Sequence, residues 1–172
     1  MRRLPPPICF ALGLLAVLTI AGRASVAAEL SPWRDGDVPS FALDRLDGGQ
    51  FRLDDFSGKT VIVHFFATWC EPCRDELQRL DRLIAENLDP SITFIGIDVA
   101  EPDDRVRRFL ARTPVAFPVA LDRTGLTAKG WGIDALPTTI VLDRTMRPCL
   151  RALGDFHWDR AATLAALDDN CH

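Results

Sequence analysis

Cys70 and Cys73 stand two residues apart in the run ATWCEPCRDE (67–76), with a tryptophan before them and charges after them. Two sulfurs at this spacing can hold a metal ion, staple a fold or trade electrons. A metal site of this kind needs a second cysteine pair or nearby histidines to complete its ligands, and none lies at suitable spacing. Electron exchange needs a thiolate, which forms readily where a cysteine opens a helix, beside unpaired N–H groups and a partial positive charge. The choice therefore turns on what precedes and follows Cys70.

TVIVHFFA (60–67) is β-branched and aromatic throughout and reads as a central strand. From Glu71 to about Leu88 apolar residues recur at helical spacing. Cys70 thus sits where a central strand runs into a helix, which favours redox chemistry over a metal or a staple. Upstream, FALDRLDGGQFRL (41–53) alternates on both sides of Asp47-Gly48-Gly49, a hairpin pattern. Downstream come a strand at 92–99, a helix at 103–112 opened by Pro102, a strand at 117–122 and a helical turn at 124–131. Strands at 138–143 and 149–154 form an antiparallel pair, and a helix at 159–167 closes the chain. Strand–helix alternation ending in a hairpin and a helix predicts an α/β fold with a mixed central sheet flanked by helices, preceded by an N-terminal β-hairpin extension.

The 172 residues suit one domain. Arg2 and Arg3, an apolar run from Ile8 to Ala21 and the small residues Val26-Ala27-Ala28 have the layout of a secretory signal peptide. The expected division is a signal peptide at 1–28, a linker or arm at 29–37 and a domain at 38–172. The apolar run is short for a membrane span, so an uncleaved anchor is the weaker alternative. Cys9 inside it has no lipobox before it. Residues 1–28 hold three arginines and no acid, so without them the net charge falls from −4 to −7. Such an acidic chain with no basic tract is not expected to bind nucleic acid. Export places the cysteines in an oxidising compartment, expected to be the periplasm.

The motif and the element order together resemble the exported TlpA/ResA/CcmG branch of the thioredoxin superfamily. The resemblance rests on FALDRLDGG, GKTVIVHFFATWCEPCRDE and ALPTT, in the family's order and spacing, and covers about residues 38–168. It implies a thioredoxin-like fold and a protein-disulfide reductase acting on exported proteins, in cytochrome c maturation or on copper-assembly partners. A membrane thiol reductase is the implied electron donor, the chain is expected to be a monomer, and no cofactor is implied beyond the Cys70–Cys73 disulfide. Cys70 is similar to the family's attacking cysteine and Cys73 to its resolving cysteine. Trp69, Glu71, Pro72, Leu136, Pro137 and Gly154 fall at the family's substrate-facing positions. Pro137 matches its cis-proline, and Glu71 is expected to disfavour the thiolate slightly. Two features depart from the pattern. Leu77-Gln78 stand where a kinking proline is common, and His64 stands where thioredoxins carry a buried aspartate. By resemblance Glu101 matches a glutamate of the ResA-like branch, and the expectation is a proton relay of His64 and Glu101 near Cys73.

Of two other activities, the first remains in view and the second fails. A copper-binding chaperone would use the dithiol plus a histidine, although related carriers have C-x-x-x-C. A thiol peroxidase would want a threonine three residues before its reactive cysteine, where Cys70 has Ala67 and Cys73 has Cys70.

Cys149 and Cys171 remain. From Cys149 to Gly154 a strand climbs about 17 Å at ~3.3 Å per residue. From Asp159 to Asn170 a helix descends about 17 Å at ~1.5 Å per residue. The two sulfurs are therefore expected to meet in a structural disulfide, away from Cys70.

Overall fold

All seven residues of the Thr60–Phe66 strand are buried, so its backbone must find partners on both edges. The computed structural model describes residues 30–86 and 89–171 and supplies both. The expected signal peptide, Cys9 and His172 lie outside the described residues. In chain order the first elements are β1 (Ser31–Pro32), β2 (Ala42–Arg45), β3 (Gln50–Arg52), a 3-10 turn at Leu53–Phe56, β4 (Thr60–Phe66) and α1 (Glu71–Ala85). Then follow β5 (Ile92–Val99), α2 (Asp103–Leu110), β6 (Val119–Asp122), α3 (Leu126–Gly130), β7 (Thr138–Leu142), β8 (Pro148–Leu153) and α4 (Arg160–Asn170).

The sheet order is β1-β8-β7-β4-β5-β6-β2-β3. β4, β5 and β6 run parallel, and every other pairing is antiparallel. This is the mixed sheet of a thioredoxin-like fold with an added hairpin. Alternation along β4 sorts its side chains onto two faces. Ile62 and Phe66 pack with Leu77 and Leu80 of α1, Phe109 of α2 and Leu167 of α4. Val61, Val63 and Phe65 pack with Phe41, Phe51 and Trp131 on the other side. The hairpin joins β6 through β2, and its turn uses Gly48 and Gly49 at φ of 104° and 82°, where a side chain would be strained.

Element boundaries differ from expectation where local chemistry intervenes. α1 stops at Ala85, short of Leu88, which is outside the described residues. β6 begins after Pro118, which has no N–H to give a ladder. α4 runs on to Asn170, with Asp159 as its cap accepting from the Ala162 N–H at 2.9 Å. The arm, expected as a linker, contributes β1 to the sheet. Ser31 and Pro32 pair with Arg151 and Leu150, and the Trp33 N–H donates to the Cys149 carbonyl at 2.9 Å. The open edge of β8 offers these backbone groups, and the Trp33 ring under the Arg151 guanidinium holds the arm there.

The structure joins Cys149 and Cys171 in a disulfide with an S–S distance of 1.99 Å. It fastens the end of α4 to the start of β8, and Cys171 lies within the α4-side core. Closing a loop with a sequence separation of 22 restricts the unfolded chain and stabilises the fold by about 3 kcal/mol. The double variant Cys149→Ala/Cys171→Ala should lose about that much in denaturant titration while keeping its exchange rate at Cys70. A variant as stable as the parent would show that the bridge contributes nothing to the fold.

Candidate functional site

β4 ends at Phe66, and Ala67, Thr68 and Trp69 turn the chain into α1, with the Cys70 N–H donating to the Ala67 carbonyl at 3.1 Å. Cys70 is the N-cap residue of α1, and its Sγ accepts from the Cys73 N–H at 3.3 Å. Pro72 occupies the first turn, where its missing N–H leaves no bond unmade. The structure holds the oxidised form, with the sulfurs of Cys70 and Cys73 bonded at 2.00 Å. Cys70 keeps 5% of its surface exposed and Cys73 none. Trp69 is 60% exposed, and Glu71 and Pro72 are exposed beside it.

The Leu136–Pro137 bond is cis. Thr138, the next residue, pairs with Phe65 near the end of β4, so Pro137 lies at the same end of the sheet as the dithiol. Gly154 closes the opposite side of that corner by donating its N–H to the Pro137 carbonyl at 2.9 Å. At φ 80° its position favours glycine, and a Cβ there would meet nothing within 4 Å. Leu136 is half-buried and packs against both cores.

His64 is 1% exposed, and its Nδ1 shares a hydrogen bond with Thr139 Oγ1 at 3.0 Å. Burial pushes its pKa down to about 3, so the ring is neutral at ordinary pH. The acid beside it is Glu76, whose Oε1 lies 3.9 Å from His64 Nδ1 and accepts from Trp158 Nε1–H at 2.7 Å. Burial raises the Glu76 carboxyl to about 7 against the opposing bond from Trp158. A neutral imidazole makes no ion pair with it, so the contact is dipolar. Among the described residues Glu76 Oε2 and His64 Nε2 have no partner. Glu76 follows Cys73 by three positions, one turn along the buried face of α1 that also carries Leu77 and Leu80. It is a candidate proton acceptor for Cys73 that the sequence reading missed. Its signal was an acid at an inward position of the helical pattern, hidden in the charged run RDE.

Glu101, expected to work with His64, has other partners, which corrects the expected relay. Its carboxylate accepts from the Thr68 N–H and from Thr68 Oγ1–H at 2.7 Å, and pairs with Arg105 Nε at 2.9 Å. Arg105 also donates to Thr68 Oγ1 at 3.1 Å. Glu101 therefore grips the turn two residues before Cys70. Behind it Asp98, opposite Phe66 in the ladder, is buried on the α1 face. Burial first, then the neighbouring Glu101 carboxyl, push the Asp98 carboxyl up to about 8, so it is protonated at neutral pH. Hydrophobic alternation along β5 would have placed this acid inward.

Among the described residues no three His, Cys, Asp or Glu side chains are placed to hold a metal ion, and no helix is long and apolar enough to cross a membrane. Residues 35–147 match the AhpC/TSA family. A thiol-disulfide oxidoreductase ResA of Geobacillus thermodenitrificans is 33% identical over 132 residues, 76% of each chain. A second ResA, of Bacillus thuringiensis subsp. konkukian, is 33% identical over 108 residues, 63% of this chain and 62% of that one. The chain thus spans a little under two thirds of some of the curated relatives it matches. Among solved structures, a putative thiol:disulfide interchange protein DsbE from Chlorobium tepidum superposes with a TM-score of 0.70 at 29% identity, over 80% of this chain and 99% of that one. The match over residues 35–147, more than half of the chain, shows that the chain belongs to the AhpC/TSA family.

Proposed function

We propose that this protein is a periplasmic thiol–disulfide oxidoreductase that reduces disulfides in exported proteins. One observation carries the reading: two bondable sulfurs at a strand-to-helix junction, the outer one capping the helix and the inner one fully buried. The relatives named thiol-disulfide oxidoreductase support the reaction class.

In the reduced protein the Cys70 thiolate attacks one sulfur of a substrate disulfide. The substrate's other sulfur leaves as a thiolate and takes a proton from solvent. Cys73 then gives up its proton and attacks Cys70 Sγ, expelling the second substrate sulfur and restoring the Cys70–Cys73 disulfide. Two electrons pass to the substrate through sulfur alone, so the exchange needs no bound cofactor. The oxidised protein must be reduced again, and in an oxidising compartment a membrane thiol reductase is the fitting donor. One chain holds every group used, consistent with action as a monomer. Exported cytochrome c maturation or copper-assembly proteins are the substrates this reading favours. Trp69, Pro72, Leu136, Pro137 and Gly154 form the rim that a substrate segment would meet, with Glu71 between the sulfurs. The alternative, a copper carrier, needs a third ligand. His64 is a poor one, because its Nδ1 is engaged with Thr139 inside the core.

Cys73 has no exposed surface, so its proton needs an internal acceptor. Glu76 suits that role because its carboxyl titrates at about 7. His64, neutral throughout, orients the site through Thr139. Glu101 positions Cys70 through Thr68.

The reduced protein should be alkylated first at Cys70 by iodoacetamide, and Cys73→Ser should accumulate mixed disulfides with its substrates. Peptide mapping that found Cys73 modified first would reverse the assigned roles.

Glu76→Gln should slow release of the mixed disulfide about tenfold or more at pH 8, and should erase the step in rate near pH 7. Its stability should change in the opposite sense. A carboxyl raised from 4.5 to about 7 in the folded state stabilises the parent below pH 4.5, and that stability is lost as pH rises to about 7. The variant should therefore gain on the parent between those limits and hold a constant margin above them. Parallel pH–rate and pH–stability curves for both proteins would deny Glu76 this role.

A further inference from the structure

The chain is acidic overall, yet the only charged side chains that line one groove beside the dithiol are arginines. It holds about 420 Å³, opens next to Trp69 and is walled by Arg74, Arg105, Arg108, Arg112 and Phe109. All four arginines are exposed. Arg105, Arg108 and Arg112 recur at intervals of three and four, so they form one stripe along α2 and its exit. Two are partly neutralised from behind: Arg105 by Glu101 at 2.9 Å and Arg108 by Asp104 at 2.6 Å. Neither acid lines the groove. Among the described residues Arg74 and Arg112 have no ion-pair partner. Basic residues in the last turn of a helix also offset its dipole, but that accounts for Arg108 alone and not for Arg74 on another helix.

We infer that this groove is a docking surface for an acidic segment of the substrate polypeptide, lying next to the disulfide that Cys70 attacks. The stripe from Arg105 to Arg112 spans about 10 Å at ~1.5 Å per residue. An extended peptide covers that length with about three residues at ~3.3 Å each. The exposed Trp69 between the groove and Cys70 gives the segment a flat apolar step on its way to the sulfur. Guanidinium groups bind carboxylates through paired N–H donors, so an Asp- or Glu-rich strand fits better than a neutral one. The balance of the surface is negative and repels such a segment elsewhere, which focuses it on the groove. This inference rests on thiol–disulfide exchange at Cys70 and adds a selectivity to it.

The test uses the reduced full chain and two disulfide-bonded peptides that differ only in their flanking residues, three Asp in one and three Lys in the other. At low salt the Asp peptide should be reduced about tenfold faster, and the ratio should approach one at 0.5 M NaCl as screening shortens the reach of the arginines. Arg108→Glu/Arg112→Glu should invert the preference. Arg82→Glu/Arg160→Glu makes the same change in net charge on exposed residues outside the groove and should leave the preference intact. Equal rates for the two peptides, or equal shifts in both double variants, would overturn the groove while leaving the exchange activity standing. Failure to reduce either peptide would overturn the activity, and the groove with it.

Discussion

The hydrogen bond from the Cys73 N–H to Cys70 Sγ depends on the chain turning from β4 into α1 within four residues. That turn gives one sulfur a helix terminus and forces the other into the core, and the chemistry of the site follows from the difference. The outer sulfur gains from the unpaired N–H groups and positive end of the helix, which favour its thiolate. The inner one is penalised as an anion, because no water reaches it. A thiol in that position exchanges only when something nearby takes its proton. The burial that makes Cys73 a late attacker thus creates the need for a buried base.

Two carboxyls lie under α1, and both titrate far above solvent values. Glu76, at about 7, has one oxygen held by Trp158 and one free. Asp98, at about 8, backs Glu101. They differ in what they face. Glu76 shares a helix face with Cys73, whereas Asp98 lies behind Glu101, which holds the Thr68 turn and Arg105. Their division of labour follows: one acid is placed to move a proton and the other pair to hold the entry to the motif. A buried carboxyl opposes folding at neutral pH, and the Cys149–Cys171 bridge and the two aromatic-rich cores offset that cost.

Much of this was legible in the residues. The apolar run at 60–67 could only be a central strand, the helical spacing after Glu71 fixed the direction of α1, and Asp47-Gly48-Gly49 marked the hairpin. The sulfurs of Cys149 and Cys171 meet in the structure because strand rise and helix rise bring the chain back to one level. Glu76 was lost because a run of charges reads as a solvated face unless each residue is assigned its angle around the helix. Glu101 was expected beside His64, but it contacts Thr68 and Arg105 instead. Its partners are fixed by the turn at Thr68 and by Arg105 one helical turn later, and no periodic pattern encodes contacts between a loop and a helix. β1 escaped because two residues carry no period; only Leu30 and Trp33, apolar in a mostly polar arm, hinted at an anchor.

α2 connects these themes. It connects two parallel neighbouring strands, β5 and β6, and its buried side supplies Val106 and Phe109 to the core that also holds Phe66. Its first turn brings the exposed Arg105 side chain against Glu101 and Thr68, so it braces the approach to Cys70. The same periodicity that buries Val106 and Phe109 turns Arg105, Arg108 and Arg112 towards solvent beside Trp69. The helix that connects two neighbouring strands of the sheet therefore sets both the rigidity of the redox turn and the charge of the surface next to it. Changing its outer residues alters what approaches the dithiol without touching the core that holds the dithiol in place.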